Sequence, residues 1–366
     1  MKKIKAALAL LLVLASSVVL FGGCDMTGRD DSKDTFNPDD PSRTSEPDTD
    51  PGPQTPEYFN KLTGEGSDTD LSQSRPVGIM INNIKVSCPQ EGISNADVIY
   101  ECLAEGGITR MLMFADDYAD LPAVGSIRSS RDYYLDFAQD FDAIYVHCGG
   151  SEYAYEDISE RDIDNIDGVK GPGALWNTTD TFYRDADRRA NMGYEHSVMT
   201  TGAGLAAGIK YMGCRTELKS DYDSPFDFVE YGQVEKFENA APHVRFSFSS
   251  YQTVDYVYDE ASGEYLRYQH GGVEHIDGST GQQLSFENVI IIFCDMNTVD
   301  SKGRLTVQTT GSGSGYYITE GTYIPITWSK SSRDGQIEYF KEDGTALLMN
   351  RGKSFVNVCG LDGDVD

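Results

Sequence analysis

The chain has 366 residues and a formal net charge of −29, because 59 Asp and Glu side chains outnumber 30 Lys and Arg. Its 39% hydrophobic content, with 22 Tyr and 16 Phe, excludes a uniformly disordered chain, and its length suits roughly two domains. Such an acidic chain argues against partners that are nucleic acid or anionic lipid surfaces, since both are recognised through clustered cations.

The first residues predict an exported protein with a lipid anchor. Three lysines within the first five residues precede an apolar run over residues 6–20, which is typical of a signal peptide covering residues 1–23. The run ends in LFGGC, which is similar to a bacterial lipobox, so Cys24 would be lipidated and become the mature N-terminus. Secretion with Cys24 unmodified is the alternative. The membrane is thus a predicted partner through Cys24, on its extracytoplasmic face.

Residues 24–72 predict a disordered, acidic tether. The segment is rich in Asp, Pro, Ser and Thr and nearly free of aliphatic residues. It cannot bury enough apolar surface to offset the entropy lost on ordering, so we expect an extended chain that holds the folded part away from the bilayer.

Six cysteines follow Cys24, and outside the cytoplasm they permit up to three disulfides whose pairing the sequence leaves open. Four of them, however, lie in apolar, strand-like runs, where a thiol is commonly a small buried hydrophobe. We therefore favour mostly free thiols. These four are Cys102, Cys148, Cys294 and Cys359.

Residues 73–232 predict an α/β module, because strand-like and helical patterns alternate. In an α/β layered fold, ligand groups are expected on the loops that leave the strand ends. Strands are predicted at 76–82 and 142–151, a hairpin at 96–116, and helices at 129–141 and 201–211.

The hairpin carries charges on one predicted face. Its turn is assigned to a Gly-Gly pair, and counting outward from there places Glu101, Glu105 and Arg110 on one face. Tyr100 and Cys102 take the opposite face, which is predicted to be core. The first face therefore has three charges where a buried sheet would have none.

Residues 233–366 predict an all-β module. Ten short aromatic and β-branched runs, from HVRFSFS to FVNVCG, recur at about ten-residue spacing with Gly and Asp-Gly turns between them. This spacing is typical of a sandwich or barrel-like fold. The fold class is therefore an α/β N-terminal module followed by an all-β C-terminal module.

Long stretches resemble the YerB-like family of bacterial lipoproteins. They include RPVGIMINN, NADVIYECLAEGGITRMLMFAD, VGSIRSSRDYYLDFAQDFDAIYVHCGGS, FYRDADRRANMGYEHS and DGTALLMNRGKSFVNV. The resemblance covers nearly everything after the tether. It implies an N-terminal and a C-terminal module together on a lipid-anchored Gram-positive envelope protein, and it implies no activity.

The run GSIRSSRDYY suggests a site for an anion. Arg128 and Arg131 lie at or near the first turn of a predicted helix, where the backbone already presents partial positive charge. A carboxylate or phosphate ligand is one explanation, since Arg forks and helix amides bind anions. Internal ion pairs with Glu101, Glu105 or Asp132 are the alternative.

A second concentration of cations lies at residues 182–197, inside an otherwise acidic chain. A solvated loop is one explanation, but local convergence is what overcomes long-range repulsion of anions. We expect one cleft, shared with His147 or His196. The predicted ligand-binding residues are Arg110, Arg128, Arg131, Arg184 and His196.

Two functions from different classes follow. The first is an envelope protein that binds a peptidoglycan stem or wall-polymer fragment in an Arg-lined cleft. The alternative is an envelope hydrolase or transferase that uses Glu105 and His147, although His147 equally suits a core position. Glu101 and Glu105 would lie about 13 Å apart along a strand, too far for a glycosidase pair.

No cofactor and no metal site is predicted. DIDNIDG fails the spacing of a calcium loop, and GSGSG lacks the lysine and helix of a phosphate loop. His270, His275 and Asp277 are assigned to one surface hairpin.

Overall fold

The fold is that of a computed structural model, which describes residues 55–170, 180–361, 363 and 365. The signal peptide, Cys24 and residues 24–54 of the predicted tether lie outside the described residues. Gln54–Asp366 form one compact unit. Among the described residues, no helix combines the length and apolarity needed to cross a bilayer.

Strands dominate the described residues. They are β1 (Tyr58–Phe59), β2 (Gly66–Ser67), β3 (Val77–Asn82), β4 (Val98–Leu103), β5 (Thr109–Ala115), β6 (Val124–Gly125), β7 (Ile144–His147), β8 (Asn165–Asp167), β9 (Tyr183–Arg184), β10 (Val198–Thr200), β11 (Asp227–Phe228), β12 (Asn239–Ala240), β13 (His243–Ser247), β14 (Thr253–Asp259), β15 (Glu264–Gln269), β16 (Val273–Glu274), β17 (Ser285–Phe286), β18 (Asn288–Cys294), β19 (Met296–Thr298), β20 (Leu305–Val307), β21 (Gly311–Thr319), β22 (Thr322–Lys330), β23 (Glu338–Lys341), β24 (Leu348–Met349) and β25 (Ser354–Gly360). The α-helices are α1 (Asp132–Asp140), α2 (Glu152–Glu160), α3 (Ala186–Asn191) and α4 (Gly202–Met212).

One main sheet takes strands from both halves of the chain. Its order is β12-β22-β21-β18-β25-β4-β5-β3-β7-β8, with β23 paired to β22. β18, β25 and β4 are parallel neighbours, as are β3, β7 and β8, while β5 is antiparallel to both β3 and β4. β18, β25, β4, β3, β7 and β8 therefore all run in one direction, and their carboxyl ends lie on the same side of the sheet. We call this side of the sheet the carboxyl edge.

The predicted hairpin forms, but its register differs by one residue from the prediction. Residues 104–108 connect β4 to β5, and this odd-numbered loop pairs Glu101 with Met111 and Cys102 with Arg110. The assignment of Glu101 and Arg110 to one face was therefore wrong, because a one-residue slip moves a side chain to the opposite face. Each charge now faces a different layer of the molecule.

Two apolar cores cover the two faces of the main sheet. The first packs the sheet against β13–β15 and α4, and the second packs the other face of the sheet, which includes residues of its hairpin β21–β22, against α1. Most sheet positions are buried on both faces, which explains the continuous apolar runs in β18 and β25. Representative first-core residues are Ile79, Ile99, Met113, Ile291, Phe355, Tyr256 and Leu205, and representative second-core residues are Tyr100, Phe114, Val356, Tyr134, Phe137 and Trp328.

The chain is rich in strands and has few helices, as the sequence predicted in outline. All ten C-terminal runs contain strands, and the helices at 129–141 and 201–211 correspond to α1 and α4. A separate α/β module and a separate all-β module are not confirmed, because β18 and β25 from the second half pair with β4 from the first half. The domain boundary at residue 232 remains a prediction, and the main sheet contains strands from both sides of that residue.

Residues 55–72, which the sequence assigned to the tether, belong to the folded unit. β1 pairs with β2, and Leu62 between them is fully buried. Asn60 donates a hydrogen bond of 3.0 Å to Asp97, and Lys61 forms an ion pair with Asp116. Leu62 is therefore buried against the rest of the folded unit, which the polar composition of this segment does not predict.

All six cysteines among the described residues are free thiols.

Candidate functional site

A cleft of about 340 Å³ opens at the carboxyl edge, where the ends of β4 and β7 meet the starts of α1 and α2. We call it the carboxyl-edge cleft. Open α/β sheets bind ligands in this position, outside the carboxyl ends of parallel strands. Its lining residues are Glu105, Ser129, Arg131, Gly150, Ser151, Glu152, Lys302 and Arg304.

An arginine fork closes one side of the cleft. Arg131 donates to both carboxylate oxygens of Glu105, at 2.5 and 2.7 Å, and to the carbonyl of Ser130 at 2.6 Å. Burial would raise the pKa of Glu105, but the hydrogen bonds and charge of Arg131 outweigh it and hold this pKa below its ordinary value. The internal ion pair offered as an alternative is thus present. A guanidinium has five N–H donors, so two of Arg131 remain for a ligand.

Arg110 stands behind this pair. It donates to the carbonyl of Ser129 at 2.7 Å, and its guanidinium lies 3.9 Å from Glu105. Burial, with the nearby charge of Arg131, lowers the pKa of Arg110 to about 10. Arg110 therefore adds positive potential beneath the cleft without lining it.

The start of α2 supplies backbone donors. Ser151 caps the helix by accepting a hydrogen bond of 3.1 Å from the amide of Ala154. The amides of Glu152 and Tyr153 have no acceptor within the helix and point out of its N-terminus. α1 begins beside them without a side-chain cap. The two helix starts favour negative charge at this edge of the sheet.

Lys302 and Arg304, from the connection between β19 and β20, form the opposite wall. Arg304 forms ion pairs with Asp300 and with Glu152 at 3.2 Å, and it stacks over the ring of Tyr153. Lys302 lies 4.0 Å from Glu152, and its side chain is 68% exposed, against 12% for Arg304. Lys302 is therefore the cation of the cleft that a ligand can approach most easily, because it is the most exposed and the least tightly paired with a carboxylate. The sequence analysis missed both residues, since nothing local links them to Arg131.

Besides Arg110, three more of the predicted ligand-binding residues do not line this cleft, and they lie around residues 193–197. Arg128 donates to the carbonyl of Glu195 at 2.9 Å, and Arg184 donates to the carbonyl of Tyr194 at 2.6 Å and stacks on its ring. His196 is buried, and burial together with the charge of Arg128 lowers its pKa. The predicted ligand-binding residues therefore form two separate groups and do not share one cleft.

His147 occupies a core position. Its ring is fully buried, with Nδ1 at 2.8 Å from the carbonyl of Gly149 and Nε2 at 3.2 Å from Asn165. Glu105 lines the carboxyl-edge cleft and His147 does not, so this cleft does not bring the two candidate catalytic groups to one substrate. Within the described part of the chain, the cleft therefore lacks the pair of groups that the hydrolase alternative uses.

Glu101 pairs with an arginine that the sequence analysis did not single out. Glu101 and Arg267 form an ion pair in which both side chains are 0% exposed. Burial would lower the pKa of Arg267, but the charge of Glu101 outweighs it and raises this pKa. A period-two pattern could have revealed Arg267, since it lies between inward-facing Tyr265 and Gln269 on β15.

Hydrogen bonds extend this pair into a buried polar network, which we call the Glu101 network. Glu101 also accepts from Asn83 at 2.7 Å and from Gln252 at 3.2 Å. The expectation of a surface hairpin for His275 and Asp277 was wrong, because both residues are buried. The Glu101 network comprises Asn83, Gln90, Glu101, Thr109, Gln252, Tyr256, Arg267, Gln269 and His275.

Comparisons with known proteins define the class. Residues 62–215 match the N-terminal domain, and residues 243–356 the C-terminal domain, of a family described as protein of unknown function, DUF3048. Together with the relatives described below, these matches show that the chain belongs to the YerB-like family.

A curated relative and a solved structure show the same family. The chain is 29% identical over 302 residues to the Bacillus subtilis (strain 168) protein named "Putative lipoprotein YerB", covering 81% of this chain and 85% of that one. The crystal structure of YerB protein from Bacillus subtilis matches with a TM-score of 0.72 and 26% identity, over 84% of this chain and 99% of that one.

Proposed function

We propose that the protein is a lipid-anchored envelope protein that binds an anionic envelope ligand in the carboxyl-edge cleft. The observation that carries this proposal is the convergence of cations from both family domains on one open cleft: Arg131 from the first, Lys302 and Arg304 from the second. The ligand is a peptidoglycan stem carboxylate or a wall-polymer phosphate.

The charge of the whole chain makes this convergence informative. A net charge of −29 repels anions at long range, so an anion can bind only where positive groups outweigh the local acids. Glu105 offsets Arg131, and Asp300 with Glu152 offsets Arg304. Lys302, the spare N–H groups of Arg131 and the amides at the start of α2 supply the remaining attraction.

The size of the cleft favours a small ligand group. A volume of about 340 Å³ lies at the lower end of the range of small-molecule sites, which is about 300 to 1,000 Å³. A single sugar phosphate or the end of a stem peptide fits this volume. A polymer would therefore be bound by one unit or by its end.

The proposed location at the membrane rests on the sequence and on the name of one relative. The predicted signal peptide and Cys24 support a lipid anchor at the outer face of the membrane. The relative with 29% identity carries the word lipoprotein in its name. Cys24 would thus hold the cleft within reach of the wall.

Thermal shift with a panel of ligands tests the proposal. The purified protein is mixed with muropeptides, teichoic-acid fragments and nucleotides, and one of the first two groups should raise the unfolding temperature. Lys302→Ala should weaken binding of that ligand about tenfold or less, since one exposed cation contributes roughly 1 kcal/mol.

Lys236→Ala is the matched control. Lys236 is 59% exposed and forms an ion pair of 3.2 Å with Glu320, but it lies outside the cleft. Its replacement should leave the affinity unchanged. An equal loss of affinity in both variants, or no rise of the unfolding temperature with any wall-derived anion, would contradict the proposal.

A further inference from the structure

A second cavity, of about 410 Å³, lies where the two family domains meet. Cys88 and Pro89 from the first domain line it, together with Gln269, His270 and Val273 from the second. We call it the domain-junction cavity. Its volume lies within the range of small-molecule sites, and such sites often form at domain interfaces. It is distinct from the carboxyl-edge cleft, because the two share no lining residue.

Exposed apolar side chains lie around this cavity. Val273 lines it and is 54% exposed, and Val86 is exposed in the helical turn just before Cys88. Tyr251 is exposed as well, and its ring meets the ring of His270 edge-on, with 6.2 Å between the two centroids. Apolar groups that gather at the surface in this way are typical of ligand-binding sites.

The two imidazoles of the lining are uncharged. His275 is buried, with Nδ1 against the guanidinium of Arg267 and Nε2 at 3.0 Å from Oε1 of Gln90. A guanidinium only donates, so Nδ1 accepts and Nε2 carries the single proton of a neutral ring. Burial, with the charge of Arg267, lowers the pKa of His270 to about 4, so this ring is neutral near pH 7 as well.

The charged residues of the lining do not favour an ion. Lys85 and Glu274 are both exposed, and they carry opposite charges. A charged ligand would lose its hydration inside the cavity without gaining an ionic partner there, whereas an uncharged ligand avoids this cost.

Hydrogen-bonding atoms remain available inside the cavity. The side-chain amide of Gln269 uses one N–H on Sγ of Cys88 and its oxygen on Arg267, which leaves its second N–H for a ligand. Nε2 of His270 also contacts Sγ of Cys88, which leaves Nδ1. The cavity therefore suits an uncharged molecule that has a carbonyl or hydroxyl group and an apolar face.

We propose that the domain-junction cavity binds an uncharged N-acetylated sugar. The acetamido oxygen accepts from the N–H of Gln269, and a hydroxyl group meets Nδ1 of His270, to which it can either donate or accept. The acetyl methyl group and the C–H face of the sugar ring pack on Val273 and Tyr251. The choice of a wall sugar rests on the proposed function, which supplies the envelope location.

The loop over residues 104–108 connects this cavity to the carboxyl-edge cleft. The amide of Tyr251 donates to Oγ of Ser249 at 3.0 Å, and that hydroxyl donates to the carbonyl of Gly107 at 2.6 Å. Glu105 of the same loop lines the carboxyl-edge cleft. Peptidoglycan carries N-acetylated sugars next to its stem carboxylates, so the two sites suit different parts of one polymer.

Titration of the purified protein with tri-N-acetylchitotriose, followed by saturation-transfer NMR, tests the proposal. Cellotriose is the comparison ligand, because it has hydroxyl groups in place of the acetamido groups. Tri-N-acetylchitotriose should bind and receive most saturation at its acetyl methyl groups. Cellotriose should bind at least about tenfold more weakly, since it loses a hydrogen bond and a buried methyl group.

Val273→Asp should weaken the binding of tri-N-acetylchitotriose about tenfold, because it places a charge where the apolar face of the sugar packs. The exposure of Val273 lets the fold tolerate this change. Val234→Asp is the matched control, because Val234 is 61% exposed and does not line the cavity. Its replacement should leave the affinity unchanged.

His270→Asn is a second variant that keeps the fold. His270 has a φ of 51°, and asparagine adopts this left-handed conformation readily. Loss of the ring should weaken the binding of tri-N-acetylchitotriose several-fold.

The inference is overturned if tri-N-acetylchitotriose does not bind, if cellotriose binds equally well, or if neither Val273→Asp nor His270→Asn weakens binding. Lys302→Ala separates this inference from the proposed function. It should leave the affinity for the uncharged sugar unchanged, since Lys302 lines only the carboxyl-edge cleft. Sugar binding without anion binding would contradict the proposed function alone, and anion binding without sugar binding would contradict this inference alone.

Discussion

Glu101 and Glu105 lie four positions apart, and each pairs with an arginine, yet the two pairs have different surroundings. The pair of Glu101 and Arg267 is 0% exposed on both sides. In the pair of Glu105 and Arg131, the side chains are 21% and 13% exposed. Burial rather than residue type separates them.

Burial changes what an ion pair can contribute to the protein. A fully buried pair must recover a large desolvation cost, and it does so only if further hydrogen bonds satisfy its remaining atoms. Glu101 receives such bonds from Asn83, Thr109 and Gln252. A pair at the surface of a cleft keeps donors facing solvent, where a ligand can use them. The first pair joins residues from the two family domains, and Arg131 of the second pair lines the cleft in which we propose that the ligand binds.

The largest expected effect comes from Arg267→Met. It leaves the Glu101 carboxylate buried without its cation, which costs about 3 to 5 kcal/mol of unfolding free energy. Urea denaturation measures the loss. The double variant Glu101→Gln with Arg267→Met should recover a substantial part of it, because no charge is then left unpaired. A loss below about 1 kcal/mol in the single variant would show that the pair does not fasten the domains.

A smaller effect is expected for Arg131→Lys. The lysine keeps the charge but cannot reach both oxygens of Glu105, so stability should fall by only about 1 kcal/mol. Affinity for the anionic ligand should fall about tenfold, because the spare N–H donors of the fork are lost. Denaturation and titration of the same sample measure both quantities. If stability collapses while affinity holds, the second pair is structural like the first.

The smallest effect concerns the pH dependence of the Glu105 pair. The pKa of Glu105 is lowered in the folded protein. The stability that the pair contributes is therefore present above the pKa of the unfolded chain, about 4.3, and is lost as the pH falls through the lowered pKa of the folded protein. The unfolding free energies of the protein and of Glu105→Gln should thus differ by less than about 1 kcal/mol at pH 7 and converge once the pH falls below the lowered pKa of Glu105.

Glu195→Gln is the control for that comparison. Glu195 also faces an arginine, Arg128, at 3.4 Å, but its side chain is 66% exposed. Glu195→Gln should change the unfolding free energy at pH 7 less than Glu105→Gln does, because solvent screens an exposed pair. An equal change in the two variants would mean that partial burial does not set the strength of the Glu105 pair.

Local patterns predicted the elements but not the contacts across the sheet. The apolar runs of β3, β7 and α1 are long and periodic, so their positions followed from the sequence, and the pairing of Arg131 with Glu105 was one of two stated alternatives. The partner of Glu101 lies 166 positions away along the chain, at Arg267, and no local rule reaches that far.

The cleft shows the same limit. Arg131 was predicted as an anion-binding residue from the run around it, whereas Lys302 and Arg304 come from a connection that only the shared sheet brings to this edge. The hairpin register failed for a physical reason as well: the Gly-Gly pair sits inside a five-residue loop over residues 104–108 and does not form the turn alone.

The proposed part of the Glu105–Arg131 pair in anion binding is open to test by titration of Glu105→Gln with an oligomer of glycerol phosphate. Removing the carboxylate frees the Arg131 fork and makes the cleft more positive, so we expect binding several-fold tighter than in the unchanged protein. Unchanged or weaker binding by a folded Glu105→Gln protein would show that the pair does not serve anion recognition.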